Sequence, residues 1–193
     1  MWIALGDRAI RFPRPAAVSA RAIVRAARSW PGVVDVVVAA RDVAVYFAHE
    51  PVVDPALLRA LTAAVDDPDP PRELSLPAIY DGPDLEEVAR AANLAIPDVI
   101  ALHASTTYVV DTLGFAPGFA YLTGLDPRLA LPRRSTPRTR VPAGSLAIAA
   151  GYTAVYPFDS PGGWHLLGRV PSIRMFGPEG ALLRLGDRVR FSP

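Results

Sequence analysis

The sequence predicts two domains, a small α+β domain over residues 1–72 and a mainly β domain over residues 73–193. Helical and strand patterns alternate in the first third of the chain. From residue 106 onward, short strand-like runs separated by Gly/Pro turns follow one another, as in barrels and sandwiches. An acidic, proline-rich stretch over residues 66–71 separates the two patterns and is typical of a domain boundary.

The first domain is predicted from the order of its elements. Residues 2–12 indicate a strand pair that turns at Gly6. The segments that follow are a helix over 20–29, a strand over 33–39, a strand over 43–48 and a helix from 55. Ser19 and Asp54 are the expected caps of the two helices. Strands and helices that alternate around a hairpin favour an α+β sandwich of the split βαβ, or ferredoxin-like, kind.

The second domain begins with a strand-like segment over 74–80 and two helices. We expect Asp84 to cap the first helix and Pro97 to begin the second. The remaining strands are expected over residues 108–113, 145–150, 153–156, 164–167, 172–176, 181–185 and 188–191. Their close spacing favours a barrel or a sandwich.

Composition excludes several classes of function. The chain is 51% hydrophobic and 20% charged, as soluble globular proteins are. Its net charge of +1 is too small to attract nucleic acid or an anionic membrane electrostatically. It contains no cysteine, which excludes thiol catalysis and disulfides. All 20 basic residues are arginine, so bound anions must be met by arginine, histidine or backbone N–H groups. No targeting segment is recognisable, and we expect a cytoplasmic protein.

Residues 113–169 carry the candidate site, because glycine, proline, aromatic and arginine residues alternate there in shaped loops. Arg138 and Arg140 are two positions apart in an extended segment and point to the same side, where they can hold a carboxylate or phosphate. The alternative is a solvated basic loop or a salt bridge to a partner. We expect Arg133 and Arg134 at the surface.

Two glycine corners are candidate anion sites. Gly114 to Gly118 and the pair Gly162-Gly163 can expose consecutive N–H groups to an oxyanion. The alternative is tight turns at barrel corners, which these residues by themselves favour. Ser160 can donate to a substrate oxygen, but no Gly-x-Ser-x-Gly elbow supports a nucleophilic serine.

The three histidines are too far apart in sequence for metal-ligand spacing, so we expect no metal site. His103 ends a short helix and is interpreted either as a proton carrier or as a structural residue. His165 faces either the site or solvent, and His49 is incidental. Phe119 and Tyr121 belong to a core or line a pocket.

Several motifs together resemble one known family. They are Tyr80-Asp81-Gly82-Pro83-Asp84-Leu85, His103, the run from Gly114 to Tyr121, the run from Arg138 to Ser145, and Ser160-Pro161-Gly162-Gly163-Trp164. This set resembles the family of the B component of 5-oxoprolinase, also labelled allophanate hydrolase subunit 1, which includes the Kip-type kinase inhibitor. It is also similar to half of the carboxyltransferase domain of urea carboxylase. The resemblance covers nearly the whole chain.

The resemblance implies a cyclophilin-like β-barrel in the second domain and a companion chain, the C component, with a related barrel. The 5-oxoprolinase type has a further A component. Such enzymes open 5-oxoproline to glutamate with hydrolysis of ATP. Tyr152 and Ala154 stand where relatives commonly have glutamine and glycine, so a phenol replaces an amide and a methyl group is added at the expected site. The expected site residues are catalytic His103, Arg138 and Arg140 and substrate-binding Gly118, Phe119, Tyr121, Tyr152, Ser160, Gly162, Gly163 and His165.

Three functions follow from the resemblance. The first is a subunit of an ATP-dependent 5-oxoprolinase or allophanate-hydrolase-like amidohydrolase. The second is a non-catalytic regulator that binds a histidine kinase through its barrel. The third is the carboxyltransferase half of a biotin enzyme. An adjacent gene for a second barrel favours the first, and a nearby biotin-carrier gene favours the third.

Overall fold

The structure, a computed structural model, describes residues 2–65 and 70–193. It divides into two compact units, Met1–Pro70 and Pro71–Pro193. Residues 66–69, the larger part of the predicted boundary stretch, lie outside the described residues. In the described part of the chain, no helix has the length and apolar character that crossing a membrane requires.

The N-terminal unit is an antiparallel four-stranded sheet with two helices. Its elements are β1 (Ile3–Ala4), β2 (Ala9–Pro13), α1 (Ala20–Arg28), β3 (Val33–Val38), β4 (Asp42–Phe47) and α2 (Pro55–Thr62). The predicted helix caps are confirmed, because Ser19 Oγ accepts from Ala22 N–H at 3.1 Å and Asp54 Oδ1 from Ala56 N–H at 2.7 Å.

The strand order β1-β2-β4-β3 places β4 between the two strands that α1 connects. Val43 and Val45 of β4 are fully buried, and α1 packs against β3. A complete split βαβ arrangement has a strand after its second helix beside β2. Among the described residues, β1 takes that position.

The C-terminal unit is dominated by one seven-stranded sheet. Its elements are β5 (Glu73–Pro77), α3 (Leu85–Ala92), α4 (Ile96–Ser105), β6 (Tyr108–Leu113), β7 (Ala120–Thr123), a 3-10 helix (Pro127–Leu129), β8 (Arg138–Val141), β9 (Ser145–Ala149), β10 (Tyr152–Val155), β11 (Ser160–Gly162), β12 (His165–Arg169), β13 (Phe176–Gly177), β14 (Gly180–Ala181) and β15 (Arg188–Ser192). The strand order is β12-β9-β10-β7-β6-β15-β5. Strands β8 and β11 form a separate two-stranded ribbon, as do β13 and β14.

The two edges of the large sheet are joined to each other. After β5 the chain crosses to β12, where Ile79 and Arg169 exchange two backbone hydrogen bonds of 2.8 Å. Pairing of the edges removes the free backbone groups that an open sheet would expose. Glycine is required at this junction, because a Cβ on Gly168 would collide with the backbone of Ile79 and Tyr80, and one on Gly82 with the backbone of β12.

The core of this unit has two parts. The larger one, which includes buried residues of α3 and α4, is centred on the fully buried Val88, Val99, Leu122, Ile148 and Leu167. The smaller one is rich in aromatic rings and contains Phe119, Tyr156 and Trp164. Burial of these apolar side chains is the main favourable contribution to folding.

The structure corrects two of the predicted strands. Residues 172–176 are mostly irregular because Ser172 has a φ of +59°, which is incompatible with a strand. Residues 182–187 form a turn in which the Asp187 carboxylate accepts from Arg184 N–H at 2.7 Å and pairs with Arg72. Strand β7 and the ribbon β8–β11 were not predicted, since they lie among glycine and proline residues that indicate loops.

We predict that Gly168→Ala destabilises the protein by about 3 kcal/mol, the upper part of the range for overpacking, because its Cβ collides with rigid backbone. Gly114→Ala is the control, since a Cβ there meets no atom within 4 Å. Urea unfolding measures both free energies of unfolding. Equal stability of the two variants would contradict the proposed close packing at the sheet junction.

Candidate functional site

A buried carboxylate, that of Asp84, is the centre of the candidate site. Asp84 precedes α3 and is only 3% exposed. Its Oδ1 accepts from Arg138 Nη2 at 2.6 Å and from Arg134 Nη1 at 2.9 Å. Its Oδ2 accepts from Leu166 N–H at 2.7 Å, and its own N–H donates to the Leu166 carbonyl at 3.2 Å. These bonds join the start of α3 to β8, to β12 and to the loop before β8.

The prediction that Asp84 caps α3 through its side chain is wrong. Asp84 occupies the capping position but makes no capping bond, because Arg134, Arg138 and Leu166 take its oxygens. Burial raises the pKa of Asp84, but the hydrogen bonds from Arg138 and Leu166 and the charges of both arginines outweigh it. The pKa therefore lies below the ordinary value, and the carboxylate is ionised at neutral pH.

The four arginines between residues 133 and 140 differ in their surroundings. Arg134 was expected at the surface, but its side chain is only 26% exposed and also donates to Glu87 Oε2 at 2.6 Å. Arg138 is 25% exposed, and its Nη1 is buried with no partner among the described residues. Arg140 is 77% exposed and donates from Nε to Asp159 Oδ2 at 2.8 Å. Arg133 is exposed, as expected.

Arg138 and Arg140 line one cavity of about 310 Å³ together with Arg169. The other residues that line it are Asp81, Gly82, Pro83, Pro142, Ala143, Ser145, Leu166 and Gly168. We call it the arginine cavity. Arg169 pairs with Asp81 at 2.9 Å, and both side chains are about half exposed. The cavity is therefore rich in guanidinium groups that can bind a carboxylate or phosphate.

A second, smaller cavity of about 90 Å³ has aromatic walls. Its lining consists of Phe115, Phe119, Tyr121, Arg133, Tyr156, Pro161, Gly162, Gly163 and Trp164. We call it the aromatic pocket. Phe119 is at its centre and makes edge-to-face contacts, with centroids 5.0 to 5.6 Å apart, with Tyr121, Tyr156 and Trp164. Such contacts hold the rings in fixed orientations.

At two of the glycines predicted for the site, close packing leaves no room for a side chain. Gly118 has a φ of +79°, and a Cβ there would lie 2.7 Å from Phe176 Cβ. A Cβ on Gly162 would collide with the Tyr156 hydroxyl. Gly162 is also the register partner of Arg138 in the β8–β11 ribbon. Strand β11 of the ribbon therefore lines the aromatic pocket with Pro161 and Gly162, and strand β8 lines the arginine cavity with Arg138 and Arg140.

Four predicted substrate-binding residues line neither cavity, namely Gly118, Tyr152, Ser160 and His165. Tyr152 lies behind Tyr121, with ring centroids 5.6 Å apart. The Ser160 hydroxyl is buried, with no partner in the described part of the chain. His165 is buried beside the Asp84 cluster, where its Nε2–H donates to the Pro132 carbonyl at 2.9 Å.

His103 is a buried core residue with 0% exposure. Because the Thr153 hydroxyl donates to the Ala147 carbonyl, it accepts from His103 Nε2–H at 2.9 Å, and Nδ1 then accepts from the Tyr80 hydroxyl at 2.8 Å. Burial lowers the pKa of the imidazole to about 3. The ring is neutral and satisfied on both nitrogens, and the structure does not bring it together with Arg138 or Arg140.

Sequence reasoning missed two features of the site. The first is the set of buried ion pairs around Asp84, whose spacing of about 50 residues from its arginines gives no local signal. The second is Tyr156, whose hydroxyl lies against Gly162 and whose sequence context indicates only the end of a strand. No group of three metal-ligand side chains occurs among residues 2–65 and 70–193.

Comparison with known families gives one match that spans most of the chain. Residues 4–182 match the family described as carboxyltransferase domain, subdomain C and D. The B component of the 5-oxoprolinase of Bacillus subtilis (strain 168) is 48% identical over 126 residues, which is 62% of this chain and 52% of that protein. The chain thus spans about half the length of this relative.

Two solved structures are similar in fold. The crystal structure of TTHA0988 matches 96% of this chain and 39% of its own, with a TM-score of 0.76 and 38% identity. The urea carboxylase of Kluyveromyces lactis matches the whole chain with a TM-score of 0.71, over 21% of its own length and at 22% identity. The second similarity concerns the fold alone.

We predict that the stability of the protein falls as the pH drops below about 6.5, where a histidine in the unfolded chain takes up a proton and buried His103 does not. The unfolded state then binds more protons, which costs on the order of 1 kcal/mol per pH unit. His103→Gln removes this contribution. Urea unfolding at about pH 7.5 and about pH 5 measures it, and an equal loss for variant and wild type would contradict the neutral, buried ring.

Proposed function

The chain belongs to the family of the carboxyltransferase domain, subdomain C and D, and on that premise we propose that it acts as one subunit of an ATP-dependent amidohydrolase, the counterpart of the B component of 5-oxoprolinase. The reaction breaks the C–N bond of a cyclic amide or urea-type substrate, and water supplies the oxygen of the new carboxylate. ATP hydrolysis supplies the free energy for opening the amide. The chain acts within a larger assembly.

The arginine cavity is the single observation that carries this proposal beyond the family match. Three guanidinium groups meet there in a volume at the lower end of that of small-molecule sites. Arg140 uses Nε and Nη2 on Asp159, and Arg138 uses Nη2 on Asp84. Each guanidinium carries five N–H donors, so both retain donors for an anion. They bind the substrate carboxylate or a phosphate of ATP.

The remaining site residues divide between two roles. The N–H groups of Gly118 and Gly163 polarise a carbonyl oxygen, as oxyanion sites do. Phe119, Tyr121, Gly162 and Gly163 contact the organic part of the substrate, which their position near the rings of the aromatic pocket supports. Tyr152 holds Tyr121 from behind. The complete burial of His103 argues against a direct contact with substrate.

The companion chain, the C component, completes the site, and the A component joins them in the complete enzyme. A groove of about 760 Å³ borders the arginine cavity and shares Ala143 and Arg169 with it. It also presents the exposed ring of Phe158 and the side chain of Arg174. An apolar ring beside a cation is typical of surfaces that bind another protein. We assign this groove to the companion chain.

The finer fold assignments form part of the same proposal. The N-terminal domain, residues 1–72, is a ferredoxin-like variant, and residues 73–193 form a cyclophilin-like barrel. The position of β4 between β2 and β3, and the joined edges of the large sheet, support these assignments. The large sheet and the loops beside it carry both cavities.

We predict that the chain, assembled with the A and C components of its own genome, hydrolyses ATP only when 5-oxoproline is present. Arg140→Gln lowers kcat/KM about tenfold or more, because a charge-assisted hydrogen bond to an anion is lost. Arg128→Gln is the control, since Arg128 pairs with Asp126 in the 3-10 helix and lines neither cavity. ADP release is measured. No turnover in the complete assembly, or equal loss in both variants, would contradict the proposal.

A further inference from the structure

Arg133 differs from the other arginines of residues 113–169 in having no carboxylate partner in the part of the chain that the structure describes. Arg134 and Arg138 pair with Asp84, Arg140 with Asp159 and Arg169 with Asp81. Within residues 2–65 and 70–193, no acidic side chain pairs with Arg133. Its side chain nevertheless lines the aromatic pocket. A cation at a pocket that the protein itself does not neutralise is available to an anionic ligand.

The pocket is built to receive a small ring. Tyr156, Phe119 and Trp164 are buried and fix its inner walls through their edge-to-face contacts. Its volume of about 90 Å³ is smaller than the cavity of about 150 Å³ that holds benzene in another protein. A cavity of this size suits a ring smaller than benzene, such as a five-membered ring, and Arg133 in its lining can meet a substituent of that ring.

Phe115 supports a ligand-binding role independently. It has a φ of +71°, a conformation that a bulky residue adopts only at a cost. Its ring is 61% exposed and contacts the ring of Phe119 with centroids 5.2 Å apart. Strained residues cluster at ligand clamps and active sites. An exposed aromatic ring held in this way at the pocket is suited to cover a bound ring.

Gly162 and Gly163 of the second corner form another wall of the pocket. Without a side chain at Gly162, the Tyr156 hydroxyl lies directly against the chain of β11. The carbonyl of Gly163 accepts from Arg134 N–H at 2.8 Å. Because Arg134 also binds Asp84, the wall of the aromatic pocket is tied to the buried ion pairs. The pocket is thereby preformed rather than assembled by the ligand.

We propose that the aromatic pocket with Arg133 is the subsite that recognises the substrate as a small cyclic amide with a carboxylate. The ring lies against Phe119, Tyr121 and Trp164, and the carboxylate binds the guanidinium of Arg133 through two N–H groups. This assignment rests on the proposed function and makes Arg133 the residue that selects an acidic lactam. The arginine cavity, with Arg138 and Arg140, then holds a different anion.

Direct binding tests the subsite without turnover. The probe is 5-oxoproline, added to the full chain while the indole N–H signal of Trp164, assigned with Trp164→Phe, is followed by NMR. We expect a saturable shift of this signal, and a dissociation constant raised about tenfold or more by Arg133→Gln. Arg128→Gln, at a residue that lines neither cavity, leaves the constant unchanged. The neutral analogue 2-pyrrolidone binds more weakly, and Arg133→Gln does not affect it.

The outcomes separate this inference from the proposed function. No saturable shift, or a shift that Arg140→Gln abolishes and Arg133→Gln does not, overturns the subsite. In the assembled enzyme, we expect Arg133→Gln to raise the KM for 5-oxoproline about tenfold with little change in kcat. If the assembled Arg133→Gln enzyme turns over with an unchanged KM for 5-oxoproline, the role of Arg133 is overturned and the proposed function stands. Probe binding without turnover supports the subsite and contradicts the proposed function.

Discussion

The ionised carboxylate of Asp84 is the interaction on which the candidate site depends. It is almost completely buried, and an unpaired charge in that position would cost several kcal/mol. Arg134, Arg138 and the Leu166 N–H compensate this cost. In doing so they hold three segments that are distant in sequence at fixed positions around the Asp84 carboxylate. The loops between them consequently have little freedom to move.

This cluster lies between the two cavities and explains why each has a defined shape. Arg138 extends from the β8–β11 ribbon to Asp84 and lines the arginine cavity. Gly162, its register partner, lines the aromatic pocket. Arg134 binds Asp84 with its side chain and Gly163 with its backbone. A ligand in either cavity therefore contacts a wall that the same carboxylate holds, which offers a physical route for coupling between them.

The joined edges of the sheet supply the rigid base for this arrangement. Gly82 and Gly168 allow the chain before α3 to approach β12 closely enough for backbone pairing. Asp84 follows Gly82 by two residues and Leu166 precedes Gly168 by two, so the ion pairs lie next to the junction. The close backbone packing at the sheet junction and the buried ion pairs of Asp84 thus stabilise the same region of the fold.

Regular periodicity and capping residues made much of the fold predictable. Ser19 and Asp54 mark helices, and the β-branched runs of β3 and β4 mark a hairpin, because these signals act between neighbours in sequence. The gathering of aromatic residues and glycines into one pocket was also expected in part. The ion pairs of Asp84 were not, since a carboxylate before a helix is indistinguishable in sequence from an ordinary cap. The sequence likewise does not distinguish two neighbouring arginines. Arg133 is exposed and lines the aromatic pocket, whereas Arg134 is partly buried and pairs with Asp84.

The free energy of unfolding of Asp84→Asn, compared with that of Asp81→Asn by urea unfolding, tests the central claim most directly. Asparagine keeps an acceptor for Leu166 N–H but removes the charge that Arg134 and Arg138 require, so Asp84→Asn should lose roughly 3 kcal/mol. Asp81 forms a half-exposed pair with Arg169, and Asp81→Asn should lose at most about 1 kcal/mol. An equally small loss in both variants would contradict the claim that the Asp84 carboxylate organises the site.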